Sequence, residues 1–142
     1  MPKRKASAVW KGGLKGGTGT FKAAGGNIGG NYSFSSRFEE GAGSNPEELL
    51  AAAHAACFSM ALSAQLEGNG TPPISVDTNA ECTVEKAGAG FKITTMHLTT
   101  RATVPNIDNA KFQQIANAAL DGCPVSQALK GNVKFEMDAS LT

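Results

Sequence analysis

The segment Asn45–Leu62, NPEELLAAAHAACFSMAL, decides the fold of this chain. Asn45 can cap a helix, Pro46 suits the first helical position, and Glu48 stands at the spacing of a capping box. The pattern predicts a helix that runs to about Gln65. After the two glutamates nearly every residue is apolar, so the helix lacks a polar face and must be buried on all sides.

The rest of the chain has to supply that cover. The 142 residues, 41% of them hydrophobic, predict a single globular domain spanning residues 1–142. In so small a domain, a sheet on one side and a second copy of the chain on the other would enclose the helix. We therefore expect a homodimer with this helix at its centre.

Before the helix, the sequence predicts strands. Residues 6–10 alternate and lead through a glycine-rich run to Thr20–Lys22, which indicates a hairpin with a loose connection. The run lacks the Gly-Lys-Ser/Thr of a phosphate-binding loop, so nucleotide binding is not expected. Tyr32–Phe38 also alternates, which predicts a further strand with Arg37 on the face opposite the aromatic side chains.

After the helix, two strands, a helix and a last strand are predicted. Val76–Val84 has the two-residue period of a half-buried strand with Cys82 facing inward, and Phe91–Val104 changes phase between Ile93 and Met96, as at a bulge. The next helix, capped by Asp108 or Asn106, buries Phe112, Ile115, Ala116, Ala119 and Leu120. A one-sided strand ends the chain at residues 133–141. This order is α+β rather than a wound βαβ sheet.

Two of the three cysteines stand in unlike places. Cys57 lies within the apolar helix, whereas Pro124 opens a short helix that places Cys123 at its N-cap. Unpaired amides at an N-cap favour an anionic sulfur, while burial raises the pKa of a thiol. A reactive Cys57 therefore needs a cation brought to it, and Cys123 suits a resolving thiol.

Charge and cysteine usage exclude several classes of function. A net charge of +1 argues against capture of nucleic acid or of an acidic membrane surface. No apolar run follows the basic start, so we expect no signal peptide and a cytoplasmic protein. The apolar stretch Leu49–Leu62 is short and contains His54, which argues against a membrane span. Three thiols in a reducing compartment favour a transient, catalytic disulfide.

Four strings together resemble the OsmC/Ohr family of thiol peroxidases: Arg37–Glu39, Asn45–Leu49, Ala53–Leu62 and Gly122–Ser126. The resemblance covers nearly the whole chain. It is to the OsmC branch, because the arginine comes just before the helix. The Ohr branch carries its arginine in the N-terminal hairpin, where this chain has only lysines.

The resemblance implies the fold, the activity and the site. The family fold is an intertwined homodimer, with antiparallel sheets wrapped around two central helices and shared active sites. The family reduces organic hydroperoxides, and hydrogen peroxide more slowly, in oxidative and osmotic stress defence, without a metal or bound cofactor. Cys57 matches the peroxidatic cysteine, Cys123 the resolving cysteine, Arg37 the arginine that holds the thiolate, and Glu47 its carboxylate partner. The implied reductant is an external dithiol, such as dihydrolipoyl groups on carrier proteins.

Helix geometry adds a hypothesis about which subunit supplies the arginine. Glu47 and Cys57 are ten residues apart, or roughly 15 Å along one helix. A guanidinium paired with Glu47 would have to span most of that length to reach Cys57 of its own chain. We expect Arg37 and Glu47 to serve Cys57 of the partner chain.

Three other functions remain as alternatives. His54 precedes Cys57 by three residues, so a Cys-His thiol hydrolase is conceivable, although a nucleophile in mid-helix lacks free amides for an oxyanion hole. His54 can equally be a buried hydrogen-bonding residue or a modest electrostatic helper. Metal binding through Cys57, Cys123 and a histidine lacks a close ligand pair. A non-catalytic module that binds an apolar ligand on the same fold is the third.

Overall fold

The computed structural model describes residues 1–142, which form two compact units, residues 1–49 and 50–142. The elements of the chain are β1 (Ala6–Lys11), β2 (Thr18–Ala23), β3 (Gly29–Tyr32), α1 (Phe34–Phe38), α2 (Pro46–Gly68), β4 (Ser75–Ala87), β5 (Gly90–Thr103), α3 (Asn109–Gly122), α4 (Pro124–Leu129) and β6 (Lys134–Leu141). The α+β class predicted from the sequence is confirmed.

The first unit is a small antiparallel sheet in the order β1-β2-β3, and the predicted hairpin is its first half. Aromatic rings cover one face: Trp10 and Phe21 lie 5.4 and 5.9 Å from the ring of Tyr32, centroid to centroid. Gly19 sits beneath them, and a Cβ there would approach the Tyr32 ring to 2.5 Å. The glycine therefore allows the rings to pack on the strand.

The strand predicted over Tyr32–Phe38 is wrong beyond Tyr32, because residues 34–38 form α1. Ser33 caps this turn: its hydroxyl accepts from the Ser36 amide at 3.1 Å, and the Ser36 hydroxyl accepts from the Ser33 amide at 2.8 Å. This reciprocal capping satisfies two amides that a strand would have left to a neighbour. Local serine chemistry thus overrides the alternating pattern and places Arg37 on a helical turn.

The second unit contains the sheet β4-β5-β6. β4 and β5 form a long antiparallel hairpin whose register shifts next to Thr83, where Thr95 and Ile93 pair with consecutive residues of β4, so the predicted bulge is confirmed. β6 is parallel to β5, which corrects the expectation of purely antiparallel sheets. The intervening α3 and α4 supply the crossover that a parallel pair requires.

Two helices build the core of this unit. α3 begins at its cap Asp108, which accepts from the Lys111 amide at 2.8 Å, and it buries the five predicted apolar residues. On α2, Phe58, Leu62 and Leu66 are fully buried. The opposite stripe of α2 is exposed in the single chain and consists of Ala52, Ala53, Ala56, Met60 and Ala64. The chain alone therefore covers one face of a helix predicted to be covered on all faces.

By length and composition alone, α2 is long and apolar enough to cross a membrane. A core helix passes the same test, and one face of α2 is buried within the chain through Phe58, Leu62 and Leu66. Its side chain Ser59 donates a hydrogen bond of 2.8 Å to the hydroxyl of Thr78 on β4. The helix therefore contacts the sheet at this position.

Candidate active site

The two cysteines singled out from the sequence meet in the second unit. Cys57 is half-buried on α2, Cys123 is 1% exposed at the N-cap of α4, and both are free thiols in hydrogen-bonding contact. The first turn of α4 turns one amide to each sulfur: Val125 donates to Cys57, and Ser126 donates to Cys123 at 3.3 Å. The sequence predicted the amide at Cys123, but not the one at Cys57.

The surroundings of Cys57 in this unit favour the neutral thiol. Burial raises the pKa of Cys57 above its ordinary value, and the neighbouring Cys123 raises this pKa further. The Val125 amide acts in the opposite direction, because a donor stabilises the thiolate. One backbone amide does not overcome desolvation here, in line with the sequence-based expectation that Cys57 needs a cation to become a good nucleophile.

Behind Cys123 lies a buried polar network. The hydroxyl of Ser126 is 3.3 Å from the Cys123 sulfur and 2.7 Å from Nε2 of His54. All three side chains are at most 1% exposed, and the ring of Phe135 packs edge-on against the imidazole at 5.3 Å between centroids. Burial lowers the pKa of His54, which favours its neutral form.

Sequence reasoning missed Ser126. The available signal was its position three residues after Cys123, the spacing at which an N-cap side chain meets a backbone amide. Its link to His54 joins residues 72 positions apart and leaves no local signal. Because Nε2 of His54 faces Ser126, the structure does not form the Cys-His dyad of the hydrolase alternative.

Arg37 and Glu47 lie in the first unit and form an ion pair there. Nη2 of Arg37 donates to Oε1 of Glu47 at 2.9 Å, and Nε donates to Oε1 and Oε2 at 3.1 and 3.3 Å. Glu47 is buried, with 6% of its side chain exposed, whereas 37% of the arginine side chain is exposed. Nε and Nη2 make these bonds along one edge of the guanidinium, and Nη1 takes no part in them. Donation to a second anion would use this remaining nitrogen.

Hydrogen bonds between α1 and the start of α2 fix this pair. The Ser36 hydroxyl donates to the Ser44 carbonyl at 2.7 Å, and the Asn45 side chain donates to the Ser36 carbonyl at 3.0 Å. Asn45 also accepts from the Glu48 amide at 2.8 Å, so it caps α2 as predicted. The predicted capping box forms only in this half, because the Glu48 carboxylate accepts from the Ser44 hydroxyl instead.

Beside the guanidinium is a cavity of about 250 Å³ with apolar walls. Its lining includes the rings of Trp10, Tyr32, Phe34 and Phe38, and the Arg37 guanidinium carbon lies 4.9 Å from the Phe38 ring centroid. An apolar pocket with one fixed cation suits a small organic molecule that carries a polar oxygen group.

No group of three or more His, Cys, Asp and Glu side chains in the chain is arranged to hold a metal ion. The two units hold different groups. The second unit holds two adjacent cysteines, and the first holds a fixed guanidinium with a free edge.

Known proteins share both the sequence and the fold. A family model described as OsmC-like protein matches residues 39–138. The chain is 46% identical to Peroxiredoxin OsmC of Escherichia coli (strain K12) over 134 residues, 94% of each chain. It is 35% identical to the organic hydroperoxide resistance protein OhrB of Bacillus subtilis over 100 residues, 68% of this chain and 69% of that relative.

Solved structures agree with these sequence matches. The crystal structure of OhrB of Bacillus subtilis has a TM-score of 0.74 at 26% identity, covering 95% of this chain and 97% of that one. An organic hydroperoxide resistance protein OsmC from Legionella pneumophila gives a TM-score of 0.70 over 97% and 96% of the two chains, at 23% identity. The chain belongs to the OsmC-like protein family, and its identity to peroxiredoxin OsmC exceeds that to OhrB, as the resemblance to the OsmC branch implied.

Proposed function

We propose that the chain is a cysteine-dependent peroxidase that reduces organic hydroperoxides, and hydrogen peroxide more slowly, in defence against oxidative and osmotic stress. The observation that carries this proposal is the contact between two free cysteines at the first turn of α4. The names of its relatives, a peroxiredoxin and organic hydroperoxide resistance proteins, support the same chemistry.

In the first step, the Cys57 thiolate attacks one oxygen of the hydroperoxide. The O–O bond breaks, the sulfur gains that oxygen as a sulfenic acid, and the other oxygen takes a proton and leaves as the alcohol. The sulfur loses two electrons and the O–O bond accepts them. The step needs no cofactor, because the cysteine itself is the two-electron donor.

In the second step, Cys123 resolves the sulfenic acid. Its sulfur attacks Cys57, an S–S bond forms, and the oxygen leaves as water. Contact between the two side chains in the reduced protein supports this pairing, because little movement is needed. An external dithiol, such as a lipoylated carrier protein, then reopens the disulfide by exchange.

The thiolate requires a cation, and Arg37 fits this role. A guanidinium stays charged when desolvated, and its fork can engage Glu47 along one edge and a thiolate along the other. Glu47 orients it through the ion pair seen in the first unit. We infer that this pair serves Cys57 of the partner chain, because the two positions on α2 are roughly 15 Å apart.

This arrangement requires a homodimer. The exposed apolar stripe of α2, which includes Met60 at 75% exposure, supports one because so much apolar surface on a core helix calls for cover. We further propose that residues 1–142 act as one domain in the cytoplasm. The match to a peroxiredoxin relative over 94% of the chain and the low number of cysteines agree with this.

The decisive experiment is consumption of cumene or tert-butyl hydroperoxide with a dithiol reductant. Wild-type protein is expected to turn over, Cys57→Ser to be inactive, and Cys123→Ser to turn over more slowly, because the external dithiol must then reduce the sulfenic acid directly. Equal rates for wild type and Cys57→Ser would refute the peroxidase.

Subunit mixing tests the shared site. A Cys57→Ser chain alone should be inactive and an Arg37→Ala chain alone strongly impaired, but their heterodimer holds one complete site if the arginine acts across the interface. Random exchange should restore about a quarter of wild-type activity. Absence of restored activity, with heterodimers verified by mass, would show that Arg37 acts within its own chain.

A further inference from the structure

Three side chains of the second unit form a chain of hydrogen bonds that leads away from the reacting sulfurs. The Ser126 hydroxyl joins the Cys123 sulfur at 3.3 Å to Nε2 of His54 at 2.7 Å. The peroxidase chemistry proposed above assigns no role to Ser126 or His54. Both are buried among apolar side chains, where a polar network is retained only if it is satisfied or useful.

The imidazole is only half satisfied. Nδ1 of His54 is buried and has no hydrogen-bond partner. A histidine kept for packing alone would be expected to bond through both nitrogens or to be replaced by an apolar residue, since an unpaired buried nitrogen destabilises the fold. The ring is therefore held through Nε2 alone, by the Ser126 hydroxyl.

Resolution of the sulfenic acid requires a group that accepts a proton from Cys123. Cys123 must lose its proton as its sulfur attacks Cys57, yet Cys123 is 1% exposed and water has little access to it. We propose that Ser126 and His54 form a proton relay for Cys123, in which Ser126 passes the thiol proton to Nε2 of His54. The inference rests on the proposed function and adds a route for its second proton.

The relay balances atoms and charge. The Cys123 S–H gives its proton to the Ser126 oxygen while the Ser126 O–H proton moves to His54 Nε2. The S–S bond forms, the S–O bond of Cys57 breaks, and the leaving hydroxide takes one proton, which returns His54 to neutral and yields water. When an external dithiol attacks the disulfide, the attacking thiol loses a proton; once His54 has taken up that proton, Ser126 passes one on to the departing Cys123 sulfur.

The surroundings suit a neutral acceptor that is charged only during the step. Burial lowers the pKa of His54, so the ring is free to receive a proton at neutral pH. On β6 it is Phe135 that faces the ring, while the flanking Lys134 and Glu136 pair with each other on the exposed face. The buried residues of β5 and α3 are uncharged. No Asp, Glu, Lys or Arg side chain of β5, β6 or α3 is buried.

A thiol-exchange assay isolates this step without any peroxide. In a Cys82→Ala background, Ellman's reagent first forms a mixed disulfide on half-buried Cys57, and Cys123 then displaces the second coloured thiolate. The first phase depends on reagent concentration and the second does not. Cys123→Ser should abolish the second phase and so identifies it.

We expect Ser126→Ala and His54→Gln each to slow the second phase at pH 7 by about tenfold or more and to leave the first phase unchanged. The double variant should be no slower than the slower single one, because both changes cut the same path. Ser126→Thr, which keeps a hydroxyl, should retain the fast phase. In the relay-deficient variants the second phase should rise more steeply with pH, as hydroxide replaces the relay.

Ser59→Ala is the matched control, because it removes another hydroxyl bond of the same core, the 2.8 Å bond to Thr78, and should change neither phase. Unchanged second phases in Ser126→Ala and His54→Gln would overturn the relay. So would equal slowing of both phases, which a merely structural role would cause. Normal exchange without hydroperoxide consumption would refute the peroxidase and leave the relay standing.

Discussion

The two units of the chain differ in the surroundings that they give to ionisable side chains. The unit of residues 50–142 surrounds Cys57 with apolar side chains, a second thiol and one helpful amide, and the pKa of Cys57 is raised. The unit of residues 1–49 holds the Arg37 cation against Glu47 with three hydrogen bonds. The nucleophile and the proposed activating group are therefore built separately, and neither unit by itself holds both.

The largest loss of activity is expected when the nucleophile of the second unit is removed. Cys57→Ser replaces the only atom that is proposed to accept oxygen, so hydroperoxide consumption should fall to the uncatalysed background, although the ion pair of the first unit is untouched. The measurement is steady-state consumption of cumene hydroperoxide with a dithiol. Residual activity that depends on Cys123 would mean that the roles of the two thiols are reversed.

Removing the cation should give the next largest effect. Arg37→Ala should lower kcat/KM for hydroperoxide about a hundredfold at pH 7, because an opposite charge near a thiol shifts its pKa by about 1–3 units. Arg37→Lys keeps the charge but loses the fork, so it should recover part of the loss. If alanine and lysine give the same rate, charge is not what the arginine supplies.

Removing the charge of Glu47, which pairs with Arg37, should lower kcat/KM less than removing Arg37 itself. Glu47→Gln leaves Arg37 charged but without a charged hydrogen-bond acceptor, and about a tenfold fall in kcat/KM is expected. Glu48→Gln, in the same helical turn but exposed, is the control and should have little effect. Equal effects of the two changes would point to the helix N-terminus rather than to the ion pair.

The smallest effect on activity is expected from a substitution that changes neither the cysteines nor the ion pair. Asp108→Ala removes the cap of α3 and should lower the free energy of unfolding by about 1 kcal/mol, with hydroperoxide turnover unchanged. Thermal denaturation and the peroxidase assay on the same sample check this. A parallel loss of activity would mean that turnover follows overall stability and not the groups named above.

The sequence predicted best those features that local chemistry dictates. The sequence correctly predicted the cap at Asn45, the buried face of α3 and the N-cap position of Cys123. Each of these features depends on residues within one or two helical turns. The bulge in β5 was readable from the phase of its apolar residues. Each signal lies within a short stretch of chain.

What the sequence did not predict depends on competition or on distance. Residues 34–38 alternate like a strand, but the reciprocal bonds of Ser33 and Ser36 favour a helical turn. The parallel pairing of β6 depends on how α3 and α4 cross the sheet. The bond between His54 and Ser126 spans 72 positions, so only the folded chain brings them together.

The pKa of Cys57 tests the central claim most directly. In a Cys82→Ser, Cys123→Ser background, Cys57 is the only thiol, and its rate of alkylation by iodoacetamide against pH reports the thiolate. With Arg37 present the inflection should fall below the ordinary thiol value of about 8.5, and with Arg37→Ala it should move above it. Superimposable profiles for the two proteins would contradict activation of this cysteine by the guanidinium.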